Sequence, residues 1–435
     1  TGQPAKHPMT PAARTAATIE ILTEVARGDA PADAVLADWF RGHRFAGSGD
    51  RRAIREAVYA DFRAGALCRW AVQTADGDPE NPRLRTIAAL AFEPPAELDR
   101  LFDGTGYGPP PLNAEEKALA DFIGDLDSAA APGHVAGNCP ADIYPLFSDQ
   151  WGDAAADELA ALNQTAPVDL RVNALRATRE EAQARLAADG YEANPTLFSL
   201  TGLRGTVRGN FQQLGAYRAG MIEPQDESSQ LVTMLVDAAP GLRVIDYCAG
   251  AGGKALALAA GSGNQAEIVA CDVSRSRLAH MEPRAARLGV EGVRSLAVPA
   301  DMAPAELNDW ADRVLIDAPC SGTGTWRRSP DMRWRTSPEM IAAYGREQDS
   351  LLDTATTMLR EGGRIIYAVC SVLESEGRAR VDAFLARHPD FQRCPIKDVL
   401  GPEMAARLGC DEDLVLTPKR HNTDGMYAAV LTRRA

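Results

Sequence analysis

Two cysteines stand in matching positions along the chain. One closes Asp317-Ala-Pro-Cys320-Ser-Gly-Thr-Gly324, and the other closes Tyr367-Ala-Val-Cys370-Ser371. Each follows an apolar, β-branched run that reads as a buried strand, Arg313–Asp317 and Arg364–Val369, so both thiols are expected above one edge of a sheet. A lone intracellular cysteine is ordinarily a small buried hydrophobe; a pair at two strand ends asks for chemistry. A third strand, Val244-Ile245-Asp246, runs into Tyr247-Cys248-Ala249-Gly250-Ala251-Gly252-Gly253-Lys254 and then an Ala/Leu-rich helix. Glycines let the backbone turn sharply and approach a ligand, and the helix N-terminus favours polar or negative groups. Asp272 closes the next strand 19 residues beyond Gly253, where an acid commonly accepts hydrogen bonds from both hydroxyls of a ribose. The loop reads as a nucleoside-cofactor site.

A thiolate beside such a cofactor suits methylation of a pyrimidine at carbon 5. That carbon is too weak a nucleophile to attack a methyl donor until a soft nucleophile adds to carbon 6 and makes it enamine-like. An acid hydrogen-bonded to the ring nitrogen stabilises the charge that develops, and Asp317 is placed for it. Gly250-x-Gly252-x-x-Ala255 also satisfies a loosened dinucleotide fingerprint, so a nicotinamide oxidoreductase is a rival. No later hydride-transfer acid/base pair supports it. A third reading is a non-catalytic RNA-binding or ribosome-assembly factor on an inactive fold.

The elements that must position these groups fall into three regions. Periodic apolar residues such as Ala17, Ile19, Leu22 and Val25 predict an all-helical domain over 12–150, with a Gly/Pro-rich break at Asp103–Leu112. Residues 165–225 predict a small α+β module, with a strand at Ala166–Asn173 and a helix at Thr178–Asp189. From 226 to 435, strands at Leu242–Tyr247, Glu267–Val273, Ser295–Val298, Arg313–Asp317, Arg364–Val369 and Met426–Thr432 alternate with helices. That is the pattern of an α/β fold with a doubly wound, mostly parallel sheet, whose ligands bind beyond the carboxyl ends of the strands.

Composition narrows the setting. The 435 residues carry 46 basic and 60 acidic side chains, net −14, so a polyanion must be met by a local patch rather than by the whole surface. Such a patch is expected at Trp326-Arg327-Arg328-Ser-Pro-Asp-Met-Arg333-Trp334-Arg335, where guanidinium forks suit phosphates and indole faces suit unpaired bases. Arg275, Arg277, Arg284, Arg287 and Arg294 predict a second basic face. None of the eight cysteines has CxxC spacing, so no metal is expected. No run of about 18 apolar residues predicts a membrane span, and Thr1–Ala13 has no signal-peptide pattern, so a cytoplasmic location is expected.

These motifs resemble the bacterial RNA cytosine-C5 methyltransferases that use S-adenosylmethionine and two cysteines, and within them the 16S ribosomal RNA enzymes with a NusB-like N-terminal domain. The resemblance spans roughly residues 165–435 and is weaker over 12–145. It implies a Rossmann-like class I methyltransferase domain with a small α+β subdomain and an all-α NusB-like domain, acting as a monomer. It assigns Cys370 as the nucleophile, Cys320 to release of the product, and the motif from Cys248 through Lys254 to the S-adenosylmethionine loop. Cys248, Ala249, Gly250, Ala251, Gly252, Gly253, Lys254, Asp272, Arg277, Asp301 and Asp317 are thereby expected to touch the cofactor. Arg171 and Asn173, in Arg171-Val-Asn173, resemble an RNA-contacting subdomain and join Arg327, Arg328, Arg333 and Trp334 as expected RNA contacts. The implied substrate is a single-stranded or flipped-out cytosine of 16S rRNA, with transfer RNA as the alternative. Ala251 and Val369 stand where a proline and a threonine are usual.

Overall fold

Helix starts in the first 163 residues coincide with side chains that cap them. Thr10 accepts from the Ala13 N–H, Asn81 from Arg83 and Leu84, and Asn113 and Glu116 form a reciprocal capping box. The computed structural model describes residues 8–92, 96–206, 211–299 and 302–434, so Asp301 lies outside the described residues. Helices run from Pro11–Arg27 to Ala155–Asn163, past the boundary near 150 expected from the sequence. Their apolar faces bury Ile21, Leu22, Leu36, Ile54 and Val58 in one cluster and Val72, Ile87, Ala88 and Ile123 in another. The chain divides into two units, residues 1–163 with 329–336 and residues 164–328 with 337–435.

The second unit opens with a small antiparallel sheet. Strands β1 (Val168–Val172), β2 (Ala193–Pro195), β3 (Gly202–Gly205) and β4 (Ile222–Pro224) lie in the order β2-β3-β1-β4. One helix, Arg179–Ala188, packs Ala182 and Leu186 against Leu170, Val172 and Leu203. Its start is set by a Thr178/Glu181 capping box.

Eight strands make the large sheet: β5 (Arg243–Asp246), β6 (Glu267–Asp272), β7 (Val293–Ala297), β8 (Ala311–Asp317), β9 (Leu359–Val369), β10 (Phe391–Cys394), β11 (Leu414–Leu416) and β12 (Met426–Arg433). Their order is β10-β12-β9-β8-β5-β6-β7, with β11 beside β12. The pairings from β9 through β7 are parallel, and β12 runs antiparallel to β9. Parallel strands need both faces covered, and alternate residues divide accordingly. Val244, Ile268, Leu315 and Ile366 pack on one face with Leu231 and Leu235, while Ile245, Val269, Val314, Ile316 and Ile365 pack on the other with Leu352, Ala355 and Phe384. Strand order reverses at β5, between β6 and β8, which opens a crevice at the carboxyl ends where such sheets bind ligands.

Candidate active site

The loop after β5 holds its shape through the next strand. Ala249 donates to the Cys271 carbonyl and Gly250 to an Asp272 carboxylate oxygen, each at 2.8 Å. Gly252 sits at φ +77°, and a Cβ there would collide with Met281, so this turn admits only glycine without strain. Asp272 is almost fully committed to this scaffold. Its other oxygen accepts from Ser274 and pairs with Arg277, both at 2.8 Å.

Within the crevice lies a cavity of about 250 Å³ lined by Gln225, Asp226, Ser229, Asp246, Cys248, Ala249, Gly253, Lys254 and Asp317. Lys254 Nζ donates to Asp317 at 2.5 Å. Burial opposes the Lys254 charge, but the adjacent Asp317 carboxylate outweighs it, with Asp246 and Cys370 adding, so the ammonium is held above its ordinary value. Asp246 is 1% exposed and neither of its carboxylate oxygens has a hydrogen-bond partner. Burial, and then Asp317, push its carboxyl up from 3.8 to about 7, against the pull of Lys254. A cavity with these carboxylates and one lysine suits a ligand that carries positive charge, such as a sulfonium with an ammonium.

The two thiols meet. Register pairs Asp317 with Ala368 across β8 and β9, so Cys320 and Cys370, three and two residues beyond that pair, leave neighbouring strand ends. Their sulfurs lie 3.3 Å apart. The loops are tied together: Gly324 N–H donates to the Cys370 carbonyl at 3.1 Å, and Gly425 N–H donates to the Gly324 carbonyl at 2.8 Å. The Thr323 and Ser371 hydroxyls meet at 2.9 Å. Contact with Cys370, burial and the nearby Glu376 charge all push the Cys320 thiol well above its ordinary value. The cofactor loop, Asp317 and both cysteines thus converge on one end of the sheet.

The basic, aromatic surface expected between the cysteines is largely turned inward: Trp326, Arg327 and Arg333 are buried, Arg328 and Trp334 half-buried, and Arg335 exposed. Arg327 is 1% exposed; its Nη1 donates to Asn422 at 3.0 Å and its guanidinium faces Asp424. Arg328 bridges Asp226 and Asp424 and donates to the Pro167 carbonyl. Residues 329–336 belong to the helical unit, where Arg333, fully buried, donates to Asn163 at 2.7 Å and to the Leu162 carbonyl at 3.1 Å. Trp334 donates to the Phe62 carbonyl and lies 4.2 Å beneath the Arg69 guanidinium. A desolvated guanidinium is costly unless its donors are paired, and oxygens far away in sequence take several of the donors here.

Arg171 and Asn173 are buried as well. The Arg171 Nε donates to Gln225 at 2.7 Å, and the Asn173 amide donates to the Gly220 and Leu288 carbonyls, joining the small sheet to the large domain. On the second basic face, Arg284 and Arg287 turn inward to Glu223, while Arg277 and Arg294 stay largely exposed, each ion-paired. Residues given no role from the sequence emerge as part of the site: Gln225, Asp226, Ser229 and Asp246 line the cavity, and Glu376 lies behind Cys320. Asp246 had a readable signal, an acid ending an otherwise apolar strand. Among the described residues there is no cluster of three or more potential metal ligands and no helix long and apolar enough to cross a membrane.

Comparison with known proteins agrees with this geometry. Residues 233–432 match the family described as 16S rRNA methyltransferase RsmB/F, and residues 143–208 match the RsmF/B-like ferredoxin-like domain. The chain is 32% identical over 301 residues to the probable ribosomal RNA small subunit methyltransferase B of Synechocystis, a match that spans 67% of this chain and 66% of that relative. It is also 32% identical to the putative methyltransferase MT1451 of Mycobacterium tuberculosis, over 99% of this chain and 98% of the relative. The crystal structure of PH0851 superposes with a TM-score of 0.78 at 25% identity, covering 98% of this chain and 99% of its own. The chain belongs to the RsmB/F 16S rRNA methyltransferase family, and with it to the S-adenosylmethionine-dependent methyltransferases.

Proposed function

We propose that this protein methylates carbon 5 of a cytosine in 16S ribosomal RNA through a covalent adduct with Cys370. The observation that carries the reading is the pair of thiols 3.3 Å apart at the ends of β8 and β9, beside the Lys254–Asp317 pair and the cofactor cavity. S-adenosylmethionine supplies an electrophilic methyl group. When bound, its positive charge would face Asp246 and the Asp317 carboxylate shared with Lys254, and the loop from Cys248 to Lys254 would hold it. The Cys370 sulfur adds to carbon 6 of the base, which makes carbon 5 nucleophilic. The Asp317 carboxylate, oriented by Lys254, accepts from the amino group of the cytosine and holds the base against Cys370, while the negative charge of the adduct is taken up at ring nitrogen 3 with a proton from the Lys254–Asp317 pair. Carbon 5 would then take the methyl group, the donor leaving as the neutral thioether, and Cys320 assists when carbon 5 loses its proton and the carbon–sulfur bond breaks.

The 16S target rests on the family description and on relatives named as small-subunit methyltransferases. Neither Arg333 nor Arg171 is free to grip the RNA as the structure stands. The NusB-like character of the helical domain belongs to the same proposal. The test is Cys320→Ala incubated with S-adenosylmethionine and unmodified 16S RNA. A protein–RNA band that survives a denaturing gel, and is absent in Cys320→Ala/Cys370→Ala, is expected; no band, with methylation intact, overturns the adduct.

A further inference from the structure

Glu376 lies at the far end of the second cysteine loop and is fully buried. Its carboxylate accepts from the Ser321 N–H at 2.8 Å and from the Ser321 hydroxyl, and Ser321 directly follows Cys320. Its own carbonyl accepts from the Tyr367 hydroxyl at 2.6 Å, which fixes the backbone from the sheet side. Both donors to the carboxylate are neutral, and among the described residues no lysine, arginine or histidine forms an ion pair with it. A buried negative charge without a cation is expensive to keep. Two hydrogen bonds to Ser321 would be satisfied equally well by a neutral glutamine, so the presence of an acid here calls for a function.

We propose that Glu376 is a positioning residue that clamps the Cys320 turn through Ser321 and adds a negative charge to the surroundings of the Cys320 thiol. Cys320 then enters the reaction as a thiol, although its sulfur is only 3.3 Å from that of Cys370. The groups facing Cys320 agree. Cys370, Glu376, Tyr344 and Tyr367 surround it; behind the tyrosines lie Glu347 and Arg380, the latter paired with Asp349, whereas Lys254 faces Cys370 from the cofactor side, paired with Asp317. A protonated Cys320 has a use in the last step. Water takes the proton from carbon 5, that electron pair forms the carbon 5–carbon 6 double bond, and the carbon–sulfur pair returns to Cys370. The Cys320 proton meets that new charge, and solvent restores it. This inference rests on Cys370 as the nucleophile proposed above.

The test needs no RNA. The folded full chain is alkylated with iodoacetamide between pH 6.5 and 10, and each cysteine is followed by peptide mass spectrometry. Because only the thiolate reacts, one unit of pKa is a tenfold change in rate below the midpoint. Cys320 is expected to react at least about tenfold more slowly than Cys370 at pH 8. Glu376→Gln, which still accepts from the Ser321 N–H, should speed Cys320 about tenfold and shift its profile to lower pH, with Cys370 changed less than about twofold. Ser321→Ala keeps the charge and removes one of its donors, so Cys320 should react as slowly as in the parent or more slowly. Equal rates for the two cysteines in the parent, an unmoved Cys320 profile in a folded Glu376→Gln, or Ser321→Ala speeding Cys320 would each overturn the role. Should Glu376→Gln fail to fold, the parent and Ser321→Ala profiles decide. Absence of methylation with this alkylation pattern intact would defeat the proposed reaction and leave the Glu376 assignment standing.

Discussion

Replacing Asp246 with asparagine should make the catalytic unit more stable and the cofactor site worse. The native carboxyl holds its proton up to about pH 7, against 3.8 ordinarily, because burial and Asp317 disfavour its charge. Between those two values the folded state binds more protons than the unfolded state, so the free energy of unfolding falls as pH rises and levels off above about 7. At 1.36 kcal/mol per unit the loss amounts to about 4 kcal/mol at pH 8. An asparagine removes the charge but leaves a buried amide without a partner, which takes back about 2 kcal/mol. The expected net gain at pH 8 is about 2 kcal/mol, or roughly 4–8 °C in the melting temperature of a unit this size, with no gain at pH 5. Thermal melts of parent and Asp246→Asn at both values read this directly, and calorimetric titration with S-adenosylmethionine should show weaker binding by the variant. Equal stability at pH 8, or the same shift at pH 5 and pH 8, would refute the idea that an ionised Asp246 is maintained at a cost to the fold.

Other outcomes follow from the same geometry. Cys370→Ala should lose turnover entirely while binding S-adenosylmethionine within about twofold of the parent, as read by calorimetry, because its sulfur is not among the groups lining the cofactor cavity. Arg328→Met should destabilise the second unit by about 2 kcal/mol in urea melts, since it strands Asp226 and Asp424; the figure is reduced from that of a fully buried pair because the side chain is 33% exposed. Arg333→Met should lower the melting temperature of the helical unit by leaving Asn163 and the Leu162 carbonyl without their donor. A fall in RNA affinity with unchanged melting would instead return Arg333 to the RNA interface.

The end of the sheet that holds the candidate site was legible because its signals are local. Gly250 and Gly252 sit at positive φ in the loop where the glycines were read, and the apolar runs before Cys248, Cys320 and Cys370 became β5, β8 and β9. Strand ends in a doubly wound sheet share one edge, so three separate motifs could be placed together without coordinates. The edge strands β10 and β11 escaped notice, being four and three residues long and set by pairing with β12. Arg327 and Arg333, read from the sequence as part of an exposed surface, are buried for a physical reason. A guanidinium looks the same in sequence whether it meets phosphate or protein, and the partners of Arg327 and Arg333 lie at Asn422 and at Leu162 and Asn163. Glu376 shows the same limit, since its importance depends on folding back onto Ser321.

The most direct test of the central claim is methyl transfer from labelled S-adenosylmethionine to ribosomal and transfer RNA lacking the modification, with the labelled nucleoside identified in the digest. Label recovered as 5-methylcytosine from the 16S fraction, and lost in Cys370→Ala, is the predicted result. Label confined to transfer RNA would contradict the substrate; label on another atom or base, or transfer that persists without Cys370, would contradict the chemistry.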